Sequence, residues 1–196
     1  MAGLACVDVI TTGVARNCPD VHGQIGVNKD LILINWEDYD RVATLDPLNF
    51  ETTTTNGNKD GLTEIILKAG TPVQYVFEGT DYSVKPSITS EIKEDGDTWY
   101  IHTINLMAYN KTSTARKALT DLGQSRVVAV AVDRSTGFYE LFGAEQGLKV
   151  SSIARDYVGG GQNGNFYAVT LVTPDIAVIR ESNMGLLCHQ APVVPV

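Results

Sequence analysis

The run Thr98–Tyr109 has the clearest pattern in the sequence, because its side chains alternate between the two faces of an extended strand. The even-numbered positions share one face: Tyr100, His102, Ile104, Leu106 and Ala108. The segment Ser87–Lys93 precedes this run, and Asp95-Gly96 lies between them as a strong hairpin signal. We therefore expect an antiparallel hairpin built from these two segments.

The composition extends this preference to the whole chain. The 196 residues include 21 Val, 13 Ile and 19 Thr, and β-branched side chains of this kind suit pleated, half-buried surfaces. The 18 Gly residues supply the corners. We expect a mainly β protein, and the composition argues against a helical bundle.

Regular punctuation by Gly, Pro and Asp after residue 60 predicts about eight strands. Nine segments are candidates for these strands: Leu62–Lys68, Val73–Glu78, Ser87–Lys93, Thr98–Tyr109, Arg126–Asp133, Phe138–Phe142, Leu148–Ile153, Phe166–Thr173 and Ile176–Arg180. The segment Arg126–Asp133 is apolar throughout its middle, which is typical of a strand buried on both faces. Spacings of roughly 8–12 residues indicate a β-sandwich or barrel.

One flanking α-helix is predicted after the long hairpin. Four apolar residues recur at helical spacing: Ala115, Ala118, Leu119 and Leu122. Either Thr112 or Ser113 can cap the helix, and Gly123 is placed to end it at the C′ position.

The chain divides into three predicted parts. Residues 1–60 form an N-terminal arm and loop segment that is irregular apart from the apolar run Leu31–Ile34. Residues 61–182 form the β-sandwich or barrel body, and residues 183–196 form a C-terminal tail. The polar, Gly-broken stretch 52–61 marks the first boundary. We expect at least part of the arm to order only against a neighbouring subunit.

The chain carries no sign of a membrane span or a secretory leader. No stretch reaches the roughly 18 apolar residues of a spanning helix. The N-terminal sequence lacks a positive n-region and is a poor signal peptide. Cys6, Cys18 and Cys188 are odd in number, so we expect a reducing compartment and no disulfide framework.

The net charge of −8 is unevenly spread. Residues 1–100 hold 16 acidic and 7 basic side chains, and residues 101–196 hold 7 acidic and 8 basic. A groove that grips nucleic acid needs clustered Lys and Arg, so the balance argues against one. It suits a chain that stacks head to tail or presents one acidic wall, and it equally suits a plain soluble surface.

Several residue groups resemble binding sites, and each has a simpler interpretation. The loop Gly159–Gly164 lacks the Lys of a phosphate-binding loop and predicts a flexible turn. Four potential zinc ligands lie near opposite ends of the chain without any Cys-x-x-Cys pair. They are Cys18, His22, Cys188 and His189. We assign no metal, cofactor or catalytic residue.

Two further groups carry the alternative functions. Four carboxylates crowd one short span: Glu37, Asp38, Asp40 and Asp46. Paired carboxylates perform acid–base chemistry, but a solvated acidic face is the simpler interpretation. Trp36 and Trp99 are suited to stacking on a sugar, although Trp99 alternates within a strand. His102 alternates in the same strand and is interpreted as a sheet residue.

A family resemblance rests on the segment Phe138–Ser152. It combines a strand, the spacing Gly143-x-x-x-Gly147-Leu148 and a second strand, followed by a Gly/Asn-rich loop and a Thr-rich strand. Over roughly residues 62–180 this pattern resembles phage tail-tube (major tail) proteins and other virion proteins of phages that infect Bacteroidetes. The first 60 residues and the C-terminal tail lie outside the resemblance.

The resemblance implies a β-barrel or sandwich with a flanking helix. Six copies would form a ring, their sheets would join into an inner barrel, and stacked rings would carry DNA that passes without specific binding. The implied partners are further copies of the chain and other tail or head proteins of the virion, with no membrane. The implied location is the virion, assembled in the cytoplasm of the host bacterium, and no enzymatic activity is implied.

Three alternatives remain open at this point. The chain could be another ring-forming virion protein, such as a tail terminator, a connector or a head protein. It could be a β-sandwich carbohydrate-binding or adhesion module, which needs a concave aromatic site. It could be a small hydrolase that uses the carboxylates of Glu37–Asp46, which must then converge in a pocket with perturbed pKa values.

Overall fold

The structure is a computed structural model that describes most of the chain from residue 27 onward. The described residues are 27–51, 61–70, 74–78, 83–92, 98–108, 112–133, 137–155, 166–174, 181–188 and 190–192. They form strands β1 (Val27–Asn35), β2 (Gln74–Glu78), β3 (Val84–Ile92), β4 (Thr98–Ala108), β5 (Arg126–Asp133), β6 (Tyr139–Phe142), β7 (Leu148–Arg155), β8 (Tyr167–Val172) and β9 (Leu186–Cys188). They also form helix α1 (Arg41–Thr44), a 3₁₀ turn at Pro47–Asn49, and helix α2 (Ser113–Gln124).

The strands belong to one open, antiparallel sheet. Its main path runs β2-β1-β5-β7-β8-β4-β3, and β6 pairs with both β5 and β9 beside that path. The prediction of a mainly β protein with one flanking helix is confirmed, since α2 is the only long helix in the described part of the chain.

Strand β5 organises the sheet because other strands pair along both of its edges. β1 lies along one edge. On the other edge, β7 pairs only with Arg126 and Val127, and β6 pairs with residues 129–132. The sheet therefore branches at β5. One limb contains β1 and β2, and the other continues through β7 and β8 to β4 and β3.

Two apolar clusters lie on opposite faces of β5. Val127 and Ala129 face the first cluster, which gathers buried side chains from both limbs and from α2. Val128 and Val130 face the second cluster, which includes Tyr39 and side chains of β6 and β9. Because β1 and β3 also contact each other, the two limbs fold toward one another around the first cluster. The prediction that this strand is buried on both faces is confirmed.

The alternation in β4 produces the expected pattern of burial. His102, Ile104 and Leu106 are buried, and the residues between them are partly or fully exposed. β3 pairs with β4 in an unbroken antiparallel register from Val84–Leu106 to Ile92–Thr98. The predicted hairpin is therefore present, and its turn at residues 93–97 lies outside the described residues.

The boundary that we placed at residue 60 needs correction. β1 lies between β2 and β5 inside the sheet, and Leu31 and Leu33 are buried in the first cluster. Residues 27–51 are therefore part of the body, while residues 1–26 and 52–60 lie outside the described residues. The predicted C-terminal tail also contributes to the sheet, because β9 pairs with β6.

The segment Leu62–Lys68 is extended but makes isolated bridges where a continuous strand was predicted. Leu62, Ile65 and Leu67 are fully buried in the second cluster, so packing holds the segment in place. The side-chain amide of Asn49 bonds both the N–H and the carbonyl of Glu64, which occupies groups that a ladder would use.

Helix α2 ends later than predicted. Gly123 lies inside the last turn, and Ser125 is the C-cap residue. The N–H of Ser125 donates to the carbonyl of Leu122, and its hydroxyl donates to the carbonyl of Asp121 at 2.7 Å. These bonds satisfy carbonyls that a glycine turn would otherwise have to satisfy. The predicted strand at Ile176–Arg180 lies outside the described residues.

Candidate functional site

The predicted metal ligands do not gather in the described part of the chain. Cys188 is buried in β9, its thiol donates to the carbonyl of Thr63, and burial raises the pKa of that thiol. Cys18, His22, His189 and the Gly159–Gly164 loop lie outside the described residues. Among the residues that are described, no group of three or more His, Cys, Asp or Glu side chains is arranged to hold a metal ion.

The carboxylates of the acidic span serve separate local structures. Asp40 caps α1 by accepting from the N–H of Ala43 at 3.0 Å. Asp46 caps the 3₁₀ turn by accepting from the N–H of Leu48 at 2.8 Å. Capping of this kind is the ordinary use of Asp before a helical turn. Glu37 remains exposed, so the span presents caps and surface charge.

The two tryptophans have different surroundings. The guanidinium of Arg126 lies 4.2 Å from the ring centroid of Trp36, and the Tyr39 ring lies 5.7 Å from it. Trp99 is half-buried and lines a cavity of about 490 Å³ together with Tyr100 and other residues of β3, β4 and β8. This cavity is a concave aromatic surface, and a second cavity of about 310 Å³ has Tyr75 and Phe77 among its lining residues.

The structure assembles a buried polar cluster around His102 that the sequence did not reveal. His102 is fully buried on the inward face of β4. Its Nδ1 accepts from the N–H of Gly143 at 3.1 Å, and its Nε2 lies 2.7 Å from the carbonyl oxygen of Asn183. Because Nδ1 accepts a hydrogen bond, the ring proton resides on Nε2 and is donated to Asn183. Burial lowers the pKa of His102, which keeps the ring neutral.

The carboxylate of Glu181 lies in a pocket of backbone N–H groups. It is fully buried and accepts from the N–H of Glu145 at 3.0 Å and of Gln146 at 2.9 Å. Burial raises the pKa of Glu181 to about 7, and the two N–H donors oppose that rise. The N–H of Tyr100 also donates to the carbonyl of Glu181, so the residue ties β4 to the same loop.

Glu145 reciprocates this contact from the loop side. Its carboxylate accepts from the N–H and hydroxyl of Ser182 and from the side-chain amide of Asn183. Each of the two segments therefore binds the other through a carboxylate: Glu181 binds the loop, and Glu145 of the loop binds the segment around Glu181. His102 adds a third connection, since it bonds Gly143 on one side and Asn183 on the other.

The loop Gly143–Gly147 adopts a shape that requires both glycines. Gly143 has φ +73° and Gly147 has φ +72°, in the left-handed region that favours glycine. A β-carbon at Gly143 would lie 2.9 Å from the backbone carbon of Gly147. Arg41 and Arg126 donate to the carbonyls of Glu145 and Gln146 from outside the loop. The spacing Gly-x-x-x-Gly thus builds a tight loop that turns its N–H groups toward Glu181.

The open edges of the sheet form a second candidate surface. Within the described residues, β2 and β3 each have a strand neighbour on one side only. On β2, the side chains of Tyr75 and Val76 are 45% and 56% exposed, and on β3 that of Ile92 is 75% exposed. Beyond Lys149, β7 pairs with β8 alone. These edges present main-chain donors and acceptors together with apolar side chains.

No protein-family model matches the chain, and no curated protein or solved structure matches it. In the part of the chain that the structure describes, neither helix has the length and apolar character needed to span a bilayer.

Proposed function

We propose that this chain is a structural subunit of a phage virion, and specifically a tail-tube subunit that assembles into stacked rings around a conduit for DNA. The observation that carries the proposal is that β2 and β3, the first and last strands of the sheet's main path, each have a strand partner on one side only among the described residues. The resemblance of residues 62–180 to tail-tube proteins supports the same function.

Two different open edges favour head-to-tail association. When one edge of a subunit pairs with the other edge of the next, the contact is heterologous, and a closed rotation gives a ring. Each contact extends the sheet by a strand and satisfies main-chain groups that water would otherwise satisfy. An open sheet is thereby converted into a continuous one that passes through all subunits.

The sequence of β2 lacks the residues that usually protect an exposed edge strand. Monomeric proteins protect edge strands with Lys, Pro, bulges or covering segments. β2 reads Gln-Tyr-Val-Phe-Glu, without Lys or Pro, and it exposes Tyr75 and Val76. β3 carries Lys85 and Pro86 near its beginning, and its uncharged stretch follows at residues 87–90.

The charge of the chain supports a conduit rather than a binding groove. The net charge is −8, with the acidic excess in residues 1–100. A surface of this sign repels DNA phosphates, so DNA is able to move along it without being retained.

The test is electron microscopy and light scattering of the purified full chain over a range of concentrations. We expect rings or tubes. The variant Val76→Lys places a charge on the β2 edge and should weaken association at least about tenfold, which corresponds to about 1.4 kcal/mol. Leu48→Lys is the matched control, because Leu48 is 93% exposed on the 3₁₀ turn and lies off the sheet.

Two outcomes would contradict the proposal. One is a chain that stays monomeric at high concentration, and the other is equal assembly by Val76→Lys and the wild type.

The cavity at Trp99 favours a carbohydrate-binding module as the second candidate. That candidate predicts a monomer whose tryptophan fluorescence responds to oligosaccharides and loses the response in Trp99→Ala.

A further inference from the structure

The segment Glu181–Cys188, here called the strap, is fastened along the loop Gly143–Gly147. At its beginning, Glu181 binds N–H groups of the loop, and Glu145 of the loop binds Ser182 of the strap. At its end, β9 pairs with β6 and covers the outer edge of that strand. The strap also buries Leu186 and Cys188 in the second cluster.

His102 is an ionisable side chain that lies outside both the loop and the strap and bonds each of them. Its Nδ1 accepts from Gly143, and its Nε2–H donates to the carbonyl of Asn183. An imidazolium ring carries a proton on both nitrogens and has no acceptor. Protonation at Nδ1 would therefore place one N–H group against another at a fully buried position.

Gly143 is not able to relieve this conflict by a small rotation. Its φ of +73° and its carbonyl bond to the N–H of Gly147, at 2.8 Å, fix the orientation of the loop. Its N–H would lose its only acceptor in the buried cluster, and an unpaired buried donor is unfavourable. The whole loop must therefore move away from the ring when the ring is charged.

We propose that His102 is an acid-sensitive lock: its protonation separates the loop Gly143–Gly147 from the strap, releases the strap, and uncovers Cys188 and the outer edge of β6. This device acts within a single chain and is independent of the assembly proposed above. It provides the chain with a second state in which an additional strand edge becomes available.

Other charged groups also face the loop and the strap, and protonation of the buried carboxyl groups opposes the effect of protonating His102. The acidic groups that face the loop and the strap are Glu140, Glu145 and Glu181, and the basic groups are Arg41 and Arg126. Burial raises the pKa of Glu181 to about 7 and that of Glu140 to about 6. A carboxyl group whose pKa is raised by folding stabilises the folded state at low pH and loses that contribution as the pH rises.

The two directions overlap in pH. Glu181 and Glu140 bind more protons in the closed state from about pH 7 down to their ordinary pKa near 4.5, so their protonation tightens the strap across that range. Burial lowers the pKa of His102 below its ordinary 6.5, so at this ring the closed state binds fewer protons than the open one, and the ring weakens closure as the pH falls below about 6.5. The contribution of His102 is therefore measured as the difference between the parent chain and a variant without a titrating ring.

Cys188 reports the position of the strap, because its side chain is fully buried in β9. In the full chain with Cys6→Ser and Cys18→Ser, the rate of labelling by 4,4′-dithiodipyridine is measured from pH 8 to pH 4.5. Each rate is divided by that of the same chain in denaturant. We expect the rate of the parent chain, divided by that of His102→Gln, to rise at least tenfold between pH 7 and pH 4.5, while the circular dichroism of the sheet is retained. In His102→Gln, whose amide does not titrate, only the carboxyl groups act, so labelling should slow as the pH falls.

Two results would overturn the lock: a ratio of the parent rate to the His102→Gln rate that does not rise as the pH falls, or loss of the sheet signal together with a labelling increase. Glu145→Gln removes a charge from the loop without removing the titrating ring, so it should speed labelling at every pH. If His102→Gln does not fold, nitrogen-15 spectra of the imidazole rings in the parent chain decide. The His102 ring must gain its second proton in the pH range in which labelling rises, and a ring that stays neutral while labelling rises refutes the lock.

Discussion

Replacing glycine by alanine should have opposite effects on stability at Gly143 and Gly123, because a β-carbon would contact different neighbours at the two positions. At Gly143 a β-carbon would lie 2.9 Å from both the backbone of Gly147 and the side chain of Leu148, at a φ of +73°. Gly143→Ala should therefore lower the free energy of unfolding by about 2–4 kcal/mol. Gly123 lies inside α2, and its nearest neighbour is Ile153 Cδ1 at 3.4 Å.

Gly123→Ala is the matched control. Alanine suits a helix interior better than glycine, so this variant should raise the free energy of unfolding by about 0.5–1 kcal/mol. Urea denaturation of both variants measures the difference. Equal stability of Gly143→Ala and the wild type would show that the loop tolerates a β-carbon and that its tight shape is not required.

Single residues also show what the sequence was able to predict about the polar cluster. The face of His102 followed from the period of two in β4, because alternation is a local property. Glu181 carried no such signal, since its partners Glu145 and Gln146 lie 36 and 35 positions away along the chain. A buried carboxylate of this kind depends on a loop that only the fold brings near it.

The first turn of helix α2 shows which of the two candidate residues, Thr112 or Ser113, caps its N-terminus. The hydroxyl of Thr112 accepts from the N–H of Ala115 at 3.2 Å, which identifies Thr112 as the N-cap. Thr112→Ala should lower the free energy of unfolding by about 1 kcal/mol, whereas Ser113→Ala should leave it within about 0.5 kcal/mol of the wild type. Urea denaturation measures both, and the reverse order of the two effects would contradict the assignment.

Strands and their pairing differ in how far the sequence determines them. β4 and β5 were predicted almost to the residue, because alternation and continuous apolar runs are visible within a short window. The branch at β5 was not predicted. Arg126 and Val127 pair with β7 and residues 129–132 pair with β6, and both partner strands lie further along the chain than a local pattern reaches. β1 was missed as a sheet strand because its neighbour β2 lies beyond the polar stretch 52–60.

In the proposed assembly of whole molecules, the charge of the acidic span would determine how that surface interacts with DNA. Asp40 and Asp46 cap helical turns, so reversing their charge would also weaken the fold. Glu37 is exposed in the same span and carries no cap. Charge reversal there removes no helix cap, and it replaces the attraction between the Glu37 carboxylate and Arg126 by a repulsion.

Glu37→Lys tests whether the acidic span faces the lumen of a ring. If it does, each ring gains a repeated positive charge, so the variant should assemble normally and retain DNA in a filter-binding assay at low salt. Asp121→Lys is the control, because it makes the same charge change on the exposed face of α2 and removes only the surface pair with Lys117. Loss of assembly in Glu37→Lys without a gain in DNA binding would instead place the span at a face between rings. Assembly of the wild type would then weaken with added salt, since exposed pairs are screened over about 8 Å at physiological ionic strength.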